Sequence, residues 1–159
     1  MDIDLADVLK HHFSSDVCEA SIQLFESYTK IPSAELIEKA KFSLTKPYGM
    51  NHILTLTESF GISLAQIGLS QGTSMHFHTR RKELFYVKQG ILTLYKADDV
   101  YTIQTNSIGF STPLEKHSLK NENQNTLEIL EIFLPPLIDD KVRVKDQYDR
   151  KLGTVSHLE

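Results

Sequence analysis

At 159 residues the chain is long enough to bury one proper core. Its 40% apolar and 24% charged content fits a globular fold. A net charge of −4 with no basic block excludes nucleic-acid binding through a positive patch. The lone cysteine, Cys18, excludes an intrachain disulfide and reads as a small apolar residue in a helix. The acidic start Met1-Asp2-Ile3-Asp4-Leu5 is neither a secretory signal nor a membrane anchor, so a cytoplasmic location is expected.

The first 45 residues contain no glycine and carry helix-like segments. Leu5, Val8, Leu9 and the His12/Phe13 pair recur at helical spacing. Residues 21–28 fit helix or strand. Residues 32–40 read as a short helix, with Ser33 as N-cap or Pro32 in the first turn, and with Leu36, Ile37 and Ala40 on its apolar face.

From His52 the pattern changes to short strands at 52–58, 62–69, 74–78, 83–88, 91–95, 100–104, 107–111, 117–121 and 127–134. Turn signals such as Phe60-Gly61, Gln71-Gly72 and Gln89-Gly90 separate most of them. The series predicts a mainly β chain, an antiparallel sandwich or barrel with a helical preface. Pro135-Pro136 ends the last strand, and a charged, mobile tail is expected from Asp139. The expected organisation is a helical extension over 1–45, a barrel over 46–138 and a tail over 139–159.

The stretch His76-Phe77-His78, with Glu83 and Gly90 downstream, is the most informative in the chain. Strand neighbours i and i+2 share a face, so His76 and His78 aim the same way. Glu83 opens the next strand, where it shares a face with Phe85 and Val87, while Leu84, Tyr86 and Lys88 take the other. Gly90 falls at a turn where a positive φ is expected. Pro113, His117 and Asn121 form a second fragment that brings a third imidazole. His76, His78, Glu83 and His117 therefore predict a site for one divalent transition metal ion: Zn, Fe, Mn, Co or Ni. An octahedral ion on four protein ligands keeps two open positions, which marks a chemical rather than a structural site. His11, His12, His52 and His157, each isolated, read as surface or cap residues.

These two fragments resemble the motifs of the cupin superfamily, over about residues 46–134. The resemblance implies a cupin-type jelly-roll, or double-stranded β-helix, barrel with a metal held by His76, His78, Glu83 and His117 at its mouth. Ser70 stands where the family usually has a glycine. A narrower similarity is to the type II mannose-6-phosphate isomerase cupins. It lies in Lys46-Pro47-Tyr48-Gly49, Arg81-x-Glu83, and the tail from Asp139-Asp140-Lys141-Val142-Arg143 to Asp146-Gln147-Tyr148-Asp149-Arg150. Lys46, Tyr48, His76, Leu84-Phe85 and Asp149 depart from that group's Arg, Trp, Gln, His-Trp and Gly.

The narrower resemblance implies a metal-dependent isomerase of aldose and ketose phosphates. A phosphate needs cations. By resemblance and charge Arg143 is the first phosphate-binding or catalytic candidate, then Arg150 and Lys46, with Arg81 weaker on its turn. Glu128 and Glu131 have opposite parity on one strand, so only one faces inward; Glu128 is the candidate base. A metal-dependent dioxygenase or lyase, and a non-catalytic sugar-binding or sensor cupin, are the alternatives. The expected partners are a sugar phosphate and a second copy of the chain, with no nucleic acid and no membrane. The homodimer rests on Leu84, Tyr86, Leu92 and Leu94, read as apolar residues on outer strand faces.

Overall fold

The computed structural model describes residues 3–155. The readings of His157 and of the last tail residues, 156–159, lie outside them, as do Met1 and Asp2. Three helices come first: α1 (Leu5–Phe13), α2 (Glu19–Lys30) and α3 (Ser33–Glu38). Asp4 caps α1 by accepting from the Asp7 N–H. The ambiguous 21–28 segment is helical because Ile22 and Phe25 both seat in the core at helical spacing. Pro32 takes the N-cap position of α3, and the Ser33 hydroxyl reaches elsewhere. Cys18 is exposed at the N-cap of α2 rather than inside a helix.

Among the described residues twelve strands follow, in two antiparallel sheets. The first contains β1 (Phe42–Lys46), β2 (Gly49–Leu56), β3 (Gly61–Ile67), β10 (Leu127–Leu134), β5 (Lys82–Gln89) and β8 (Ile108–Ser111), in that order across the sheet. The second contains β12 (Gly153–Val155), β11 (Lys141–Lys145), β4 (Met75–Phe77), β9 (His117–Lys120), β6 (Leu92–Lys96) and β7 (Val100–Ile103). The sequence pattern misses β1, β11 and β12, which carry few apolar residues. The sandwich therefore begins at Phe42, and residues 141–155 of the expected tail supply two strands of the second sheet.

The molecule has three layers: helices, first sheet, second sheet. Strand parity divides the first sheet between two cores. On β10, Leu130, Ile132 and Leu134 face the helices, while Leu127 and Ile129 face the second sheet. On β5, Leu84 packs under α1 and α2 and Phe85 packs between the sheets. Each fully buried Leu, Ile or Phe contributes roughly 1.5–3 kcal/mol. His12 ties α1 down by donating to the Glu83 carbonyl at 3.1 Å. Lys88 caps the end of α2 through the Tyr28 and Ile31 carbonyls, at 3.0 and 2.6 Å.

This layering removes the basis of the expected dimer. Leu84 and Tyr86 lie under the N-terminal helices, while Leu92 and Leu94 point between the sheets. None of the four offers an apolar surface to a second copy. Among the described residues no helix is long and apolar enough to cross a membrane.

Gly90 has φ +83 at the β5–β6 turn, as its position in the motif predicts. Gly49 has φ +146, and a Cβ there would lie 2.2 Å from the Gln66 carbonyl oxygen. Ser70 and Asp149 occupy φ 63 and φ 60. Both stand where the resembled family carries glycine, so the backbone keeps the left-handed turn although the residue has changed.

Candidate metal centre

The cluster forms where the two sheets face each other. His76 on β4 lies directly across from His117 on β9, and their ring centroids are 4.5 Å apart. His78 follows β4 on the same face, and Glu83 enters from β5 on the opposite wall. All four are buried. One ring nitrogen from each histidine falls within 4.8 Å of the other two.

Hydrogen bonding fixes the tautomers. The Nδ1 atoms of His76, His78 and His117 face the backbone carbonyls of Ser74, Asp140 and Glu115, with the His76 and His117 contacts at 2.7 and 3.0 Å. A carbonyl can only accept, so each Nδ1 carries a proton and each Nε2 presents a lone pair. Glu83 Oε1 lies 2.7 Å from His78 Nε2 and 3.2 Å from His117 Nε2. Three imidazole lone pairs and a carboxylate converging at these distances can share one cation. The residues thus fit a divalent transition metal. Burial pushes His76 well below the usual histidine range and lowers His78, so neither competes for a proton.

A cavity opens beside the cluster, lined by Lys46, Tyr48, Asn51, Ser63, Arg81, Glu131 and Lys141 together with apolar residues. Arg81 belongs to both. Its NH2 lies 2.9 Å from Glu83 Oε2 and 3.4 Å from Glu131 Oε1, its NH1 donates to the Leu137 carbonyl at 3.0 Å, and its guanidinium sits 4.6 Å above the Phe133 ring. Burial alone would raise the Glu83 carboxyl, but the Arg81 guanidinium overcomes this and holds it well below the usual carboxylate range. Burial and the neighbouring Glu83 charge push Glu131 well above that range. Burial, with Lys46 and Arg81 nearby, lowers Lys141 to about 7.

The structure reorders the candidate cations. Arg81 and Lys46 reach the cavity. Arg143 is buried and donates to the Lys151 carbonyl at 2.7 Å, joining β11 to the segment before β12. Arg150 is held by Asp146, with Nε to Oδ2 at 2.8 Å and NH2 to Oδ1 at 3.1 Å, and lies over Tyr148. Glu128 faces away from the site. It accepts from Ser33 and Gln66, both at 2.9 Å, on the helix side of the sheet. Its strand-mate Glu131 takes the inward place that parity allows only one of them. Asn121 is structural, donating to the Ile67 and Asn125 carbonyls at 3.0 and 2.8 Å. His52 is buried rather than superficial, between Ser43 and Gln66.

Sequence reasoning missed Lys141 and set Glu131 aside. Alternation over 141–143, with Lys141 and Arg143 on one face and Val142 on the other, was the available signal for Lys141. It was masked because the whole segment read as a charged tail.

Two facing antiparallel sheets enclosing this His/Glu cluster define a cupin, a double-stranded β-helix able to hold a divalent metal ion between its sheets. Residues 33–146 match the family described as mannose-6-phosphate isomerase C-terminal, and the chain belongs to that family. It is also 27% identical over 107 residues to a mannose-1-phosphate guanylyltransferase of Klebsiella pneumoniae, covering 66% of this chain and 23% of that protein. The chain thus spans less than a quarter of that relative's length. Among solved structures, an uncharacterized protein with a double-stranded β-helix domain from Klebsiella pneumoniae aligns with TM-score 0.55 and 12% identity, covering 67% of this chain and 89% of that one. An oxalate decarboxylase of Lactobacillus farciminis aligns with TM-score 0.58 and 16% identity, covering 65% and 33%. KdgF from Halomonas aligns with TM-score 0.55 and 16% identity, covering 59% and 86%. At these identities the likeness is one of fold.

Proposed function

We propose that this protein is a metal-dependent isomerase of aldose and ketose phosphates. The observation that carries the reading is the shared wall: Arg81 touches the metal cluster and, with Lys46 and Lys141, lines the adjoining cavity. Three cations lining one cavity suit a phosphorylated substrate. Membership of the mannose-6-phosphate isomerase C-terminal family supports the same substrate class.

His76, His78, His117 and Glu83 would hold the ion, which when bound polarises a substrate carbonyl oxygen. The protein's own groups supply the rest. Lys46 and Lys141 bind the phosphate, and Arg81 aligns the sugar between phosphate and cluster. Asn51, Ser63 and Tyr48 offer hydrogen-bonding groups along the same cavity. Glu131, on the inward face of β10, is the carboxyl placed to move a proton between C1 and C2 of an open-chain sugar. Phe133 on the same face keeps that end of the cavity apolar.

A coupled assay following mannose 6-phosphate and fructose 6-phosphate, extended to other hexose and pentose phosphates, tests the reading on metal-loaded protein. Turnover that disappears in Glu131→Gln supports it. No turnover on any sugar phosphate, with metal still bound, would leave a metal-binding cupin of another activity.

A further inference from the structure

Asp140 lies on the connection between β10 and β11, far from every metal-ligand candidate in sequence, yet it makes a dense set of contacts around them. Its Oδ1 accepts from the Thr79 N–H at 2.9 Å and from the Thr79 hydroxyl. Its Oδ2 accepts from the Arg80 and Arg81 amides at 2.8 and 3.0 Å. One carboxylate thus gathers three consecutive amides of the turn that separates His78 from Glu83. The backbone carbonyl of the same residue accepts from His78 Nδ1. Three residues back, the Leu137 carbonyl accepts from Arg81 NH1 at 3.0 Å.

These contacts have a common geometric effect. The carbonyl sets the ring plane of His78 and its tautomer, which decide where Nε2 points. The carboxylate sets the distance between the connection and the 79–81 turn, and so where that carbonyl sits. No side-chain substitution deletes a backbone carbonyl, but losing the carboxylate frees the segment that presents it. The amides it now accepts from lie in a turn with no strand partner to replace it.

We infer that Asp140 is a positioning residue for the metal site: its carboxylate clamps the β10–β11 connection onto the turn 79–81, aiming His78 Nε2 at the ion and Arg81 at Glu83. The inference rests on the reading of His76, His78, His117 and Glu83 as the ion's ligands, and not on the isomerase activity.

The test is Co²⁺ binding to Asp140→Ala and Asp140→Asn, with affinity measured by competition with a chromophoric chelator and site geometry read from the visible absorption bands. Asp140→Ala is expected to weaken Co²⁺ by about 10–100-fold, the usual cost of losing an outer partner of a ligating histidine. It should also change the band shape. Asp140→Asn keeps one accepting oxygen and is expected to fall between wild type and Asp140→Ala, so it carries the test should the alanine variant fail to fold. Asp146→Ala is the control. Asp146 binds the Arg150 side chain and N–H in the segment after β11, away from the metal-ligand turn. Melting of the metal-free proteins should show both aspartates to be stabilising. Only the Asp140 variants should move Co²⁺ affinity, with Asp146→Ala staying within about twofold. Wild-type affinity and bands in folded Asp140→Asn, or an equal loss in Asp146→Ala, would overturn the inference and leave the metal site standing. Absence of Co²⁺ binding by wild type would instead overturn the ligand assignment itself.

Discussion

Two polar networks lie back to back on the first sheet, and they differ in how completely they satisfy themselves. On the helix side Ser43, His52, Gln66, Glu128 and Ser33 form a chain with one member on each of β1, β2, β3, β10 and α3. Its links are 2.6, 2.9, 2.9 and 2.9 Å. Each link pairs a donor with an acceptor, so the chain closes on itself and staples α3 to the sheet. On the inner side, three imidazole lone pairs and a carboxylate converge, and cations crowd the adjoining cavity. Like groups brought together in this way cost free energy, which the Arg81 contacts to Glu83 and Glu131 offset in part. The outer network satisfies itself, and the inner one presents a ligand set able to hold a divalent cation. Glu128 and Glu131, three residues apart on one strand, belong one to each.

The largest effect expected from breaking this contrast is on metal. His78→Ala or Glu83→Ala should weaken a bound divalent ion by more than about a hundredfold, above the range for outer partners. Glu128→Ala should leave it unchanged. Metal content after purification, with chelator competition, checks both. Arg81→Ala comes next. Loss of a charge-assisted contact costs about 1.5–3 kcal/mol, so a sugar phosphate should bind about ten- to a hundredfold more weakly by calorimetry. Arg143→Ala should cost stability instead, because its NH1 is engaged by the Lys151 carbonyl.

The outer chain makes a third prediction. Glu128→Ala leaves the Ser33 hydroxyl and the Gln66 amide without their acceptor, at a cost of about 1–3 kcal/mol in chemical denaturation. A fourth sharpens the inner side through pH. Lys141 is lowered to about 7 by burial and by Lys46 and Arg81. Between that value and its ordinary value near 10.4 the unfolded chain binds the extra proton, so stability rises with pH across this window. Below it the whole penalty stands. Lys141→Met should therefore raise the melting temperature of metal-free protein at pH 6, with the gain shrinking towards pH 10. A gain independent of pH would mean that the charge is not the cause. The smallest effect is expected at Ser70, whose φ of 63 suits glycine. Ser70→Gly should stabilise by about 1 kcal/mol, or about 2–4 °C in Tm.

Much of the inner site was legible in the chain itself. Two-residue spacing puts His76 and His78 on one face whatever surrounds them, and the same parity places Glu83 with Phe85 and Val87. Nine strands and the helical preface followed from alternation, turn residues and helical spacing. The choice between Glu128 and Glu131 did not, because parity says that one faces inward and cannot say which. The cavity cations were misordered for a related reason. Arg81 sits on a turn, and contacts distant in sequence, among them Glu131 and the Leu137 carbonyl, draw it inward; Arg143 faces inward and is taken by a carbonyl eight residues on.

The chain by itself thus determined the local periods: which residues alternate, where the turns fall, and that His76 and His78 share one face with Glu83 seven residues beyond His76. These depend on neighbours one to seven residues away, where backbone geometry leaves few choices. The tertiary structure decided which face of β10 meets the second sheet, that the charged segment 141–155 completes that sheet, and that helices cover Leu84 and Tyr86. Those outcomes depend on contacts between residues far apart in sequence. His76 meets Arg143, Glu83 meets Phe133, and the Asp140 carbonyl meets His78. No local pattern records such pairings, because each forms only after both partners have been placed by the rest of the fold.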